Sequence, residues 1–123
     1  KNSKMKFELG DAHKLRFPSQ SFDAVFALEV LEHVADPERV LLEIKRVLKK
    51  GGYGIFLVPS DSRLFRIIWF FWTKTRGKIW NDTHIQTYKN NQLTRLAKDL
   101  GFRIEIDKKF ILGMLHLVKV RKN

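Results

Sequence analysis

With 123 residues, no cysteine and a net charge of +11, the chain has room for one domain with one core and one site, and it excludes disulfides and thiolate metal centres. Lack of cysteine suits a reducing, cytoplasmic location. The longest nearly apolar run, Leu64 to Trp72 with Arg66 inside it, is far short of the roughly 20 residues that span a bilayer.

The N-terminus, Lys1 to Lys6, has neither an initiator methionine nor an apolar signal core, so it reads as a cut rather than a start. Lys4 to Leu9 alternates, with Met5, Phe7 and Leu9 on one side, and predicts a short strand that stops at Gly10-Asp11-Ala12. Leu15 to Ser21 is turn-rich. From Asp23 to Leu28 the residues run without a polar partner at alternate positions, the pattern of a central strand covered on both faces. Glu29, Glu32 and His33 follow within five residues, at the strand end where open α/β sheets place their ligands.

Asp36-Pro37-Glu38 then supplies an N-cap carboxylate, a first-turn proline and a first-turn acid. Val40, Leu41, Ile44, Val47 and Leu48 fall at helical spacing, and Gly51-Gly52 can end the helix in a left-handed turn. Tyr53 to Val58 predicts a second buried strand closed by Pro59, which makes strand, helix and strand a right-handed parallel crossover. Asn91 to Leu100 reads as a helix ended by Gly101, and Phe102–Ile106 and Leu115–Val120 as two last strands joined through Gly113.

These elements in this order resemble the class I S-adenosylmethionine-dependent methyltransferases. The resemblance rests on Gly10-Asp11-Ala12, Leu15-Arg16-Phe17-Pro18, Ser21-Phe22-Asp23-Ala24-Val25 and Glu29-Val30-Leu31-Glu32-His33-Val34. It continues through Asp36-Pro37, the helix end with Glu43 and Arg46 to Gly52, and Leu100-Gly101-Phe102. It implies an α/β fold: a partial Rossmann-like sheet without the family's first two strands, helices on its faces and an antiparallel last strand. It also implies S-adenosylmethionine as cofactor. By that resemblance Asp11 accepts a hydrogen bond from the adenine amino group and the Ala12 N–H contacts the ring. Phe26, Ala27 and Leu28 wall the methyl donor, with Glu29 at the mouth. The family's glycine-rich loop and ribose-binding acid lie upstream of Gly10-Asp11-Ala12 and have no counterpart here. The expectation is a single truncated domain over 1–123 that either repacks its first strand onto the next or is completed by a missing N-terminal half or second subunit.

Glu29-x-x-Glu32-His33 is similar to the metal-binding element of ubiquinone-pathway O-methyltransferases, with His84 about where a further histidine falls in such families. Glu29, Glu32, His33 and His84 are the candidate ligands for Mg²⁺ or another divalent ion, which would acidify an acceptor hydroxyl. A metal-free reading makes His33 or His84 a general base, with His33 and Glu29 the catalytic candidates, and a plainer one leaves both histidines as caps or loop bonds.

Residues 63–123 carry +10 of the +11, and within them Arg63 to Trp80 interleaves all three tryptophans with basic residues. The resemblance implies that residues 61–82 are the segment that varies in the family and builds its substrate lid. Their aromatic-basic make-up suits a small-molecule or lipid-like acceptor, an anionic membrane surface with the protein at its periphery, or equally a helix that only packs on the domain or on a second subunit. Nucleic acid ranks behind these, because the basic residues form no recognisable binding module. The expected function is methyl transfer to oxygen of a hydrophobic or membrane-associated acceptor, as part of a longer enzyme. The alternative is a non-catalytic basic module that binds an anionic membrane or RNA.

Overall fold

The computed structural model describes residues 4–60, 67–68, 70–72, 74, 88 and 91–123. Four strands form one sheet: β1 (Phe22–Leu28), β2 (Leu48–Pro59), β3 (Arg103–Phe110) and β4 (Leu115–Arg121), in the order β1-β2-β4-β3. β1 and β2 are parallel, and the other two pairings are antiparallel. The α/β class, the partial sheet and the antiparallel last strand are as the sequence leads one to expect.

Helix α1 (Pro37–Val47) connects β1 to β2, and α2 (Gln92–Asp99) precedes β3. Asp36 caps α1 by accepting a hydrogen bond from the Arg39 N–H at 3.0 Å. Val40, Leu41 and Ile44 of α1 join Leu93 and Ala97 of α2 in a single core cluster with Ala27, Phe56, Val58, Val118 and Val120 of the sheet. Both helices therefore pack on one sheet face. On the other side of β1, Phe26 and Leu28 are 58% and 54% exposed.

α1 ends earlier than its glycines suggested, because Leu48 already has extended backbone and its N–H closes the last helical bond to the Ile44 carbonyl. Gly51 is left-handed, at φ 76°, but it bends β2 instead of ending the helix. Its neighbour Gly52 is required by space: a β-carbon there would lie 2.9 Å from the carbonyl oxygens of both Asp23 and Lys49. Gly101, at φ 85°, does supply the left-handed stop after α2.

Two sequence expectations fail for a common reason. Lys4 to Leu9 forms no strand, and Met5, Phe7 and Leu9 are 84%, 89% and 96% exposed. β1 is an edge strand and not a central one, since its only partner among the described residues is β2. An alternating or apolar segment becomes a covered strand only where a neighbour offers backbone partners and a face to bury against, and here Lys4 to Leu9 meets neither. No repacking of that segment onto β1 occurs. Within the 61–82 segment, the described residues Ile67, Ile68, Phe70, Phe71, Trp72 and Lys74 are helical and exposed. No described helix is long and apolar enough to cross a membrane.

Candidate functional site

The residues singled out from the sequence fall into two groups. The first lies on the loop Gly10–Phe17. Asp11 accepts the His13 N–H at 2.9 Å and pairs with His13 Nδ1 at 2.8 Å, both through Oδ1. These bonds, the backbone one first, hold the Asp11 carboxyl below the usual carboxylate range. Its side chain is 67% exposed, and among the described residues Oδ2 accepts nothing. Beside it, Leu9, Ala12, Leu15 and Phe17 line a pocket of about 200 Å³. A planar, apolar group with an amino edge fits such a lining: the side chains cover its faces and a carboxylate oxygen meets its donor.

This loop is bolted to α1. Glu43, buried, accepts the Leu15 N–H at 2.8 Å and forms a two-pronged ion pair with Arg46, whose Nε and Nη2 each lie 2.9 Å from its oxygens. Arg46 in turn donates to the carbonyls of Leu15 and Phe17. The Arg46 bonds, opposed by burial and helped by the Leu15 N–H, hold the Glu43 carboxyl at about 2. Glu43 and Arg46 belong to the family resemblance, but nothing in their sequence spacing says that they clamp a loop some thirty residues upstream.

The second group lies at the carboxyl end of β1. Phe26 and Leu28 point away from the core, whereas Ala27 points into it. Glu29 then adopts a left-handed backbone, φ 54°, while its N–H donates to the Leu57 carbonyl at 2.8 Å. Leu31–His33 make one 3₁₀ turn, which the buried Tyr88 hydroxyl ties down by donating to the Leu31 carbonyl at 3.0 Å. Burial, reinforced by the Glu32 charge, raises the Tyr88 phenol above its ordinary range.

The turn separates the residues that the motif placed together. Glu29 is exposed, Glu32 is 1% exposed, and His33 Nε2 lies 3.8 Å from Glu32 Oε1. Among the described residues no three carboxylates or histidines gather as a metal site. His84 lies outside the described residues.

A non-glycine residue held left-handed at a strand end is a local cost, of the kind that accumulates at functional sites. Glu29→Gly is expected to raise stability by up to about 1 kcal/mol, the steric relief less the entropy that glycine adds to the unfolded chain. A thermal melt checks it. A lowered midpoint would mean instead that the carboxylate holds the turn.

The comparisons with known proteins, and not the sheet order by itself, give the chain's class: it belongs with the class I S-adenosylmethionine-dependent methyltransferases. Residues 1–56 match the family model described as a methyltransferase domain. The chain is 30% identical over 122 residues to a demethylmenaquinone methyltransferase of Thermotoga maritima, covering 85% of this chain and 53% of that protein. It is 41% identical over 113 residues to a sterol 24-C-methyltransferase of Debaryomyces hansenii, covering 86% of this chain and 28% of the relative. A solved S-adenosylmethionine-dependent methyltransferase from Thermotoga maritima has the same fold with a TM-score of 0.76 at 24% identity, over 93% of this chain and 62% of its own. The chain thus spans about half, or less, of the length of these curated relatives.

Proposed function

We propose that the chain forms the adenine-side and acceptor-side portions of an S-adenosylmethionine-dependent methyltransferase that acts on a small hydrophobic or lipid-like molecule, as part of a longer enzyme. The observation that carries this reading is the Asp11 carboxylate, its acidity raised by its His13 bonds and its Oδ2 unused among the described residues, beside a pocket of about 200 Å³ lined in part by Leu9, Ala12, Leu15 and Phe17. Bound there, S-adenosylmethionine supplies an activated methyl group. Asp11 and the Ala12 N–H hold its adenine, and Phe26 and Leu28, on the uncovered face of β1, serve as the wall toward the donor, while Ala27 is turned into the core. Glu29 and His33, at the mouth, are proposed to orient the acceptor and to take its proton. Alignment of acceptor and donor is most of what methyl transfer asks of a protein.

The relatives' names support a hydrophobic acceptor, since one acts on a sterol and another on demethylmenaquinone. Oxygen as the acceptor atom rests on the Glu29-x-x-Glu32-His33 motif alone, and the sterol relative's name prints a carbon position. The reading carries no divalent ion, because Glu32 is buried away from solvent while Glu29 is exposed. The exposed aromatic residues Phe70, Phe71 and Trp72 support the 61–82 segment as the acceptor's or a membrane's contact.

A thermal melt of the chain with excess S-adenosylhomocysteine tests the proposal, since a ligand that binds only the folded state raises the midpoint. The expected result is an upward shift, lost in Asp11→Ala with about a ten- to hundredfold fall in affinity, the usual loss for a hydrogen bond to a charged group. A cooperative melt that never moves with ligand overturns cofactor binding by this chain and favours the basic interaction module.

A further inference from the structure

His13 is not part of the resemblance, yet it sits between Asp11 and the start of α1. The Asp36 N–H donates to His13 Nε2 at 3.1 Å, so Nε2 is the accepting nitrogen and Nδ1 carries the proton. That proton is aimed at Asp11 Oδ1, 2.8 Å away. The Arg39 guanidinium fixes the same residue from the other side, Nε donating to the His13 carbonyl at 3.2 Å. The imidazole is therefore locked in one tautomer by a helix that Asp36 also caps.

The geometry points to His13 as the positioning residue of the adenine subsite, selecting an amino-bearing purine by dedicating Asp11 Oδ1 to itself and presenting Oδ2 to the ligand. This rests on Asp11 being the adenine-binding carboxylate. Without the Nδ1–H, Asp11 Oδ1 keeps only the His13 backbone N–H, and the exposed carboxylate can swing about that single bond so that Oδ2 is no longer held toward the ligand. His13 touches no ligand atom in this role; it acts through Asp11, with the fold of α1 as its reference.

The test is calorimetric binding of S-adenosylhomocysteine and of its 6-oxo analogue, S-inosylhomocysteine, to the 123-residue chain and its variants. The wild type is expected to prefer the adenosyl compound about ten- to a hundredfold, because O6 accepts where the amino group donates and the lactam N1–H donates where adenine N1 would accept from the Ala12 N–H. His13→Ala, which keeps the backbone N–H to Oδ1, is expected to lose most of that preference, Asp11→Ala all of it, and the double variant no more than Asp11→Ala alone. His13→Asn should restore it, since its amide N–H stands near the place of Nδ1–H. A role in loop stability alone would weaken both ligands equally and would not be rescued. Preference lost in Asp11→Ala but kept in His13→Ala overturns the positioning role and leaves the Asp11 reading standing. Preference kept in Asp11→Ala overturns the Asp11 reading and, with it, any role for His13 in selection. A wild-type chain that binds neither compound overturns both.

Discussion

Phe56→Ala is expected to cost about 3–5 kcal/mol, enough to abolish a cooperative urea transition at 37 °C. Phe56 is fully buried at the middle of β2, in register with Ala27 of β1 on one side and Val118 of β4 on the other, so it is where three strands and both helices meet. Its neighbours are already small to admit it: a β-carbon on Gly54 would lie 3.0 Å from the tip of its ring. Truncation opens a cavity that this backbone cannot close by moving inward, because β2 is held in register between β1 and β4 by its ladder hydrogen bonds. A domain of ordinary stability holds about 5–15 kcal/mol in reserve, and one with Phe26 and Leu28 left in solvent has less apolar burial to draw on. Phe56→Leu, which keeps most of the volume, should lose only about 1–1.5 kcal/mol. Far-UV circular dichroism against urea checks both, and equal losses would show that the core tolerates the hole.

Glu43→Ala comes next, at about 2–3 kcal/mol. It strands the Leu15 N–H and the Arg46 guanidinium, and the lower part of the range for a broken buried pair applies because Arg46 is itself a third exposed. The same ion pair fixes a pH dependence. The folded carboxyl titrates at about 2, below the ordinary 4.5, so the unfolded chain binds its proton first as pH falls. The stabilisation is whole above about pH 4.5 and disappears as pH drops toward 2. Glu105, held to about 2 chiefly by Arg121 and also by Lys119, acts with the same sign. Melts at pH 7 and pH 3 should show the wild type losing more stability on acidification than Glu43→Gln. Equal losses in the two proteins would remove Glu43 from the acid response.

The parts legible in the sequence were those whose physics is local. Asp36-Pro37 announced the start of α1 because capping acts within one turn, and Gly101 marked the end of α2 because a left-handed residue has few other occupants. Tyr53 to Val58 read as a strand from its apolar run, and the alternating Leu115–Val120 lies within β4. What stayed hidden depends on partners distant in sequence. Whether β1 is central or marginal is decided by the strand beside it, not by its own residues. The Glu29-x-x-Glu32-His33 spacing suggested a cluster, but the left-handed Glu29 and the 3₁₀ turn after it turn one carboxylate out and the other in. The Glu43–Arg46 clamp on Leu15 and the Asp11–His13–Asp36 chain each cross more than twenty residues of sequence. Neither leaves a periodic signal.

The outer edge of β1 can hydrogen-bond to a single strand at a time. A strand from another segment of a longer chain and a strand from a second copy of this one would therefore be rivals for the same row of amides and carbonyls, flanked by the same exposed Phe26 and Leu28. Completion of the sheet and self-association are mutually exclusive outcomes on that edge, and local concentration arbitrates between them. A covalently attached segment enjoys the effective concentration of a tether, so it wins wherever it is present.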